Sequence, residues 1–298
     1  MSTEDLENTF SRKQACAFSS QQAAITACLE LLGTRANIIP VVMCVTSPPD
    51  TLSAALRAGG HPLLLDVDPQ TLQMDPEQLE MVIKDLDTPI VVLNPPGGAD
   101  IDPRILDLVQ DLPTILDSRV PLRPKQESRC QAVFNVFDMA LHAGGPASIV
   151  MHKFEPQVTQ LKLVRSGIMG LSADLHPSIA KAILSSIREE SSSVKDAFED
   201  ALSSHGMSLM VKPNHEPSRL FIRVPNARKV VAHLTSFGID AVVGIFPLCQ
   251  LEEVKIRYKE PPDYPGAESL DNQVVAILYK SDAQLTIEET IKEIKEVS

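Results

Sequence analysis

An α/β fold with a mostly parallel, doubly covered sheet and a smaller C-terminal α+β domain is what this sequence predicts, on three observations. An apolar run over residues 38–45 is followed by Ser47-Pro48-Pro49-Asp50, a helix-spaced stretch over 51–58, the pair Gly59-Gly60 and a second apolar run over 62–67. That order reads as strand, loop, helix, glycine stop and strand, and two strands joined through a helix imply a right-handed parallel crossover. The same alternation recurs as far as Asp117, which extends the parallel sheet. From about residue 156 the pattern turns helical and then gives short strands and helices in a different order, as a second domain would. At 298 residues the chain reaches the size, roughly 250 to 300, at which single cores stop growing. Two domains over residues 1–175 and 176–298 are therefore expected, joined by a long helical connection at about 177–203.

Taken in order, residues 2–14 read as a short capped helix or arm, and 15–18 as a brief strand. Ser19-Ser20 then cap a helix over 21–32 that stops at Gly33. Helix N-termini attract anions, so Ser19, Ser20, Gln21 and Gln22 are either a phosphate site or an ordinary cap. The loop 46–50 leaves the carboxyl end of a parallel strand, where ligands sit in such sheets, and is a pocket candidate. Asp75-Pro76 opens the next helix, residues 89–93 form a strand, and a Pro/Gly loop over 94–100 leads to a helix capped by Asp102-Pro103. Residues 114–117 are the following strand, and Asp117 at its end is either a turn residue or a ligand-facing acid. Strands over 132–137 and 148–151 flank the turn 138–145. The tail reads as strands over 207–211 and 220–224, a helix over 227–237, a strand over 241–245, a Pro-rich loop, a strand over 274–279 and a helix over 287–297.

Composition narrows the function. A net charge of −12 without a Lys/Arg cluster argues against a nucleic-acid partner, because phosphate binding needs a basic face. No apolar run is long enough for a membrane span and no signal-peptide pattern opens the chain, so a cytoplasmic protein is expected. The five cysteines lie far apart and suit buried free thiols. The seven histidines are scattered and lack cysteines at ligand spacing, so no metal is expected. Gly-x-Ser-x-Gly, Gly-Lys-Ser and His-Glu-x-x-His motifs are absent.

Phe18-Ser19-Ser20-Gln21-Gln22, Ala58-Gly59-Gly60-His61-Pro62 and Asp66-Val67-Asp68 are the first of several short motifs, in order along the chain, that resemble the DegT/DnrJ/StrS sugar aminotransferase family. Phe18-Ser19-Ser20-Gln21-Gln22-Ala23-Ala24 resembles the family's Ser-Gly-Thr-Ala-Ala phosphate-binding helix start. Ala58-Gly59-Gly60-His61-Pro62, Asp66-Val67-Asp68 and Ala99-Asp100-Ile101-Asp102 are similar to its Ala-Gly-Ala-x-Pro, Asp-Val-Asp and Ala-Asp-Met-Asp. Leu163-Val164-Arg165-Ser166-Gly167, Phe246-Pro247-Leu248, Tyr264-Pro265-Gly266-Ala267-Glu268 and Leu285-Thr286-Ile287-Glu288-Glu289 resemble its later segments. The resemblance spans nearly the whole chain and implies the pyridoxal-phosphate (PLP)-dependent transferase fold type I. It also implies a role beside nucleotide-sugar or secondary-metabolite biosynthesis.

The chemistry that the resemblance implies is incomplete in these residues. Transamination needs a Schiff-base lysine, and the window that would hold it, residues 133–147, has none; Lys125 and Lys153 flank it. Asp117 matches the acid that pairs with the cofactor ring nitrogen. Around it the family's Asp-Ala-Ala-Gln has become Asp117-Ser118-Arg119-Val120. Gln21-Gln22 replaces Gly-Thr, Pro48 or a neighbour stands where an aromatic stacks on the ring, and Cys249 replaces a histidine. The expectation is a catalytically degenerate member that does not use PLP, leaning away from enzyme activity. It would act as a homodimer, as a heterodimer with an active paralogue, or as a binder of a small molecule. The alternative is changed chemistry: a lysine-less, PLP-dependent sugar dehydratase with His142 as base, or a PLP-independent activity in the same pocket. A turn role for His142, and a surface role for Lys153, compete with those assignments.

Overall fold

The computed structural model describes residues 14–18, 20–34, 38–118, 133–138, 148–152, 193–211, 219–257, 262–278 and 285–298. Ten strands and nine α-helices lie among them. The first sheet contains β1 (Gln14–Phe18), β2 (Pro40–Cys44), β3 (His61–Leu65), β4 (Ile90–Leu93), β5 (Thr114–Ser118), β6 (Val133–Asp138) and β7 (Ser148–His152), in the order β1-β7-β6-β5-β4-β2-β3. β2 pairs in parallel with β3 and β4, β4 with β5, and β5 with β6; β7 alone runs antiparallel to its neighbours. β2, β4 and β5 are buried almost end to end, the sign of strands covered on both faces.

Each crossover helix forms for a local reason. Ser20 caps α1 (Gln21–Leu31) by accepting from the Ala23 N–H at 3.2 Å. Pro49, whose missing N–H costs nothing at a first turn, begins α2 (Pro49–Arg57), which therefore starts two residues before the expected point. Asp75 caps α3 (Pro76–Lys84), and Asp102 caps α4 (Pro103–Val109), each with a proline in first position. α1 packs beside α2 and α3 beside α4. Right-handed connections place the two pairs on opposite faces of the sheet.

The second sheet holds β8 (Leu220–Arg223), β9 (Asp240–Val243) and β10 (Val274–Leu278) in the antiparallel order β8-β10-β9. α5 (Ser193–Ser204), α6 (Ala227–Ser236) and α9 (Ile287–Val297) close a core around Phe198, Leu234, Ile222, Val275, Ile291 and Ile294. A reciprocal Thr286–Glu289 capping box starts α9. The strand expected over 207–211 is a correction: only the bridge Leu209↔Ile222 forms, because Met207 turns back to bond Leu202 instead of extending the ladder. The Pro-rich loop expected after residue 245 holds two helices, α7 (Glu252–Arg257) and α8 (Pro265–Glu268), both too short to show a helical period. The expected domain boundary at 175/176, and most of the expected connection at 177–203, lie outside the described residues.

The C-terminal segment is fastened to the first sheet. The buried Asp66 carboxylate, just past β3, accepts from the N–H groups of Val67 (2.8 Å), Gly266 (2.7 Å) and Ala267 (2.9 Å). Leu248 N–H bonds the Val45 carbonyl at 2.7 Å, and Leu248 and Ala267 belong to the first sheet's core. A Cβ on Gly266 would stand 2.0 Å from the Val67 carbonyl oxygen, so only glycine fits this approach. Asp66→Ala leaves three N–H groups without acceptors, two of them across the join. We expect it to destabilise by more than about 2 kcal/mol, and Gly266→Ala to do so comparably through backbone displacement; urea unfolding measures both, and losses near zero would refute the fastening.

Four cysteines lie among the described residues, and Cys16, Cys28 and Cys44 are buried and form no disulfide, as the sequence predicts. Burial raises the Cys28 thiol well above its ordinary value and pushes Cys44 up to about 11, with the hydrogen bond to Thr46 opposing. A thiol with a raised folded pKa contributes stability that is intact below 9.0 and is lost as pH rises toward 11. The loss runs at about 1.4 kcal/mol per pH unit for each such thiol. Unfolding at about pH 8 and about pH 10.5 should show that decline, and Cys44→Ala should make it shallower; equal slopes in both proteins would contradict the assignment.

Candidate functional site

The chain runs from β2 out to the edge strand β3 and then returns past β2 to β4, so the order reverses between β2 and β4. Connections leave the sheet in opposite directions there, opening a crevice at the carboxyl ends of the strands. Three strand exits face it. β2 is followed by Thr46, Ser47 and Pro48, β4 by Asn94 and the Pro96–Gly98 turn, and β5 ends with Asp117 and Ser118. The start of α1 adds Gln21.

Asp117 is the centre of this arrangement. The residue is 3% exposed, and among the described residues its carboxylate accepts from three side chains. Thr51 Oγ1 donates to Oδ2 at 2.9 Å, Asn94 Nδ2 donates to Oδ2 at 2.6 Å, and Gln21 Nε2 donates to Oδ1. Ser47 Oγ donates to Asn94 Oδ1 at 2.7 Å, which fixes the amide so that its NH₂ faces the acid. An ionised carboxylate offers about four lone-pair positions, two per oxygen, so Thr51 and Asn94 fill Oδ2 and Gln21 holds a position on Oδ1. Three neutral donors thereby solvate a buried charge within the protein.

A cavity of about 230 Å³ adjoins this network. Gln21, Thr46, Pro48, Asn94 and Asp117 line it from the first sheet, and Arg219, Phe221 and Val242 line it from the second. The guanidinium of Arg219 pairs with Asp240 at 3.2 Å and ties β8 to β9. Contact between the two sides is close at Gly97, which has φ +58°: a Cβ there would lie 2.7 Å from the Arg219 carbonyl oxygen. The turn after β4 can seat against β8 only with glycine at that point.

Of the residues singled out from sequence, Asp117 and Gln21 meet directly and Pro48 lines the same cavity. Ser20 is engaged as the cap of α1, and the Gln22 carbonyl accepts from Thr26 Oγ1 at 2.8 Å; neither lines the cavity. Cys249 packs against the first core, with its thiol raised by burial. Ser19, His142 and Lys153 lie outside the described residues. Sequence reasoning named the loop 46–50, which holds Ser47, as a pocket candidate, but did not single out Thr51 or Asn94. Asn94 and Ser47 carried a usable signal, since each follows a parallel strand, whereas Thr51 sits inside a helix and carried none. Arg219 and Phe221 reach the cavity through the second sheet, which no local pattern announces.

The fit of a pyridine cofactor can be read from this donor set. A protonated ring nitrogen needs a lone pair on Asp117, and Gln21, Thr51 and Asn94 already engage that carboxylate. No lysine lines the cavity among the described residues, and residues 133–147 contain none in sequence. These residues do not fit a Schiff-base-bound PLP.

Residues 3–103 match the model of the DegT/DnrJ/EryC1/StrS aminotransferase family. No curated protein sequence matches the chain. Solved structures share its fold at low identity. A protein of Bacillus cereus ATCC 10987, described as a PLP-dependent aminotransferase, superposes with a TM-score of 0.80 at 15% identity, covering 98% of this chain and 89% of that one. An aminotransferase of pseudoaminic acid biosynthesis from Helicobacter pylori gives 0.74 at 16%, covering 99% and 90%. A GDP-4-keto-6-deoxymannose-3-dehydratase, solved with a trapped PLP-glutamate geminal diamine, gives 0.74 at 14%, covering 98% and 91%. The chain thus shares the fold of these solved structures, and its residues 3–103 match the model of the DegT/DnrJ/EryC1/StrS aminotransferase family.

Proposed function

We propose that this chain is a catalytically degenerate relative of the nucleotide-sugar aminotransferases that does not use PLP and acts as a binding or partner subunit in the cytoplasm. The observation that carries the reading is the hydrogen-bond network on Asp117. The acid that would hold a cofactor ring is occupied by Gln21, Thr51 and Asn94, in a chain with no lysine at residues 133–147. Tethering is therefore missing, and recognition of the ring nitrogen is spent on the protein itself. The cavity keeps apolar walls and a few polar groups, the make-up of a small-molecule pocket.

A second reading draws on the likeness to the 3-dehydratase and on the position of His142 in sequence. In it the chain is a lysine-less, PLP-dependent dehydratase with His142 as base. The two readings differ in whether PLP is held at all. Purified protein mixed with PLP should show no aldimine absorbance and no bound cofactor after gel filtration. An aldimine band abolished by borohydride or by Lys153→Ala would refute the leading reading, and PLP retained without an aldimine would favour the dehydratase.

The partner role rests on exposed apolar side chains beside the cavity. Val242 lines it and is 41% exposed, and Phe246, just beyond the lining residue Ile245, is 47% exposed. A homodimer, or a heterodimer with an active paralogue, would cover them. Light scattering at about micromolar concentration should give a dimer mass alone or with such a paralogue; a monomer under both conditions would exclude this role.

A further inference from the structure

We propose that Gln21 is a built-in ligand for Asp117 that shuts protonated nitrogen heterocycles out of the cavity. The inference deepens the reading of the pocket as one that does not use PLP, and it assigns the exclusion to a single side chain.

The three donors on Asp117 are not equivalent. Thr51 is fully buried within α2, and its hydroxyl has little freedom to leave. Asn94 is held from its other side by Ser47 Oγ. Gln21 stands at the first position of α1, is partly exposed, lines the cavity and carries a long unbranched side chain. Nothing in the helix requires glutamine there, because Ser20 already supplies the cap. Among the described residues the Gln21 side chain bonds Asp117, from Nε2 to Oδ1. A carboxamide N–H on a carboxylate oxygen presents the same donor that a protonated ring nitrogen would bring. Gln21 therefore occupies the cavity side of the acid with a neutral group, and a planar nitrogen cation entering the cavity must compete with it for Oδ1. Thr51 and Asn94 keep Oδ2 satisfied in either case, so the acid can exchange the donor on Oδ1 without leaving the rest of its network open.

The test uses 4-aminopyridine, a pyridinium at neutral pH that has no aldehyde and cannot form a Schiff base with any lysine. Its affinity is measured by calorimetry for wild type, Gln21→Ala and Gln21→Ser, and for each substitution combined with Asp117→Asn. Serine suits a first helical turn, so the conclusion does not rest on one variant's folding. Both single variants are expected to bind roughly tenfold or more tightly than wild type, from a charge-assisted hydrogen bond newly open to the probe. Adding Asp117→Asn should return the affinity to the wild-type level. Equal binding by wild type and both single variants would overturn the proposal, as would a gain that survives Asp117→Asn, since space alone would then explain it. Failure here is separate from failure of the functional reading, because aldimine formation by wild type is scored with PLP and this test with a probe that cannot make one.

Discussion

The contact on which the rest of the architecture depends is the Asp66 carboxylate held against the backbone of the C-terminal segment. Asp66 follows the edge strand β3 of the first sheet, and its own backbone is already committed: its N–H bonds Gln78 Oε1 at 2.9 Å and its carbonyl accepts from Asp75 at 3.0 Å. The carboxylate then reaches two N–H groups at the start of α8, some 200 residues further along the chain. Charge-assisted bonds of this kind are stronger than neutral ones, and burial strengthens them further. Leu248 on Val45 adds a second tie between the same two regions. With the C-terminal segment anchored beside β2 and β3, the second sheet lies over the strand ends, and the cavity has a wall.

The site this creates is an acid satisfied from within. In a pocket built for a cationic ring, a buried carboxylate keeps a position open for the ligand. Here neutral side chains from the start of α1, from α2 and from the loop after β4 converge on Asp117, and Ser47 orients one of them. Asp117 is thereby more than the strand-end acid its place in the sequence suggests. It joins the start of α1, α2 and the loop after β4, and so has a structural role whatever ligand the cavity takes.

Much of the fold was legible because its signals are local. The caps Ser20, Asp75 and Asp102, the prolines at first helical positions and apolar strand runs such as β4 each act within a few residues, so the alternation of strand and helix up to Asp117 could be read directly. The short helices α7 and α8 escaped because four to six residues cannot express a helical period, and residues 207–211 misled because an apolar run does not say whether a partner strand is in reach. The importance of position 117 was likewise visible, both from the strand-end rule and from the family resemblance.

What the sequence by itself determined is the alternation of strand and helix up to Asp117, the parallel sheet that this alternation builds, and the absence of a lysine at residues 133–147. What only the tertiary structure decided is the company that Asp117 keeps. Gln21, Thr51 and Asn94 lie 96, 66 and 23 residues away from it and converge only when the strand order reverses and the loops fold over the sheet's edge. The second wall, with Arg219 and Phe221, depends further on the Asp66 anchor. Hydrogen-bond partners chosen across such separations leave no periodicity or spacing in the chain, because it is the packing of whole elements, and not the local backbone, that brings donor to acceptor.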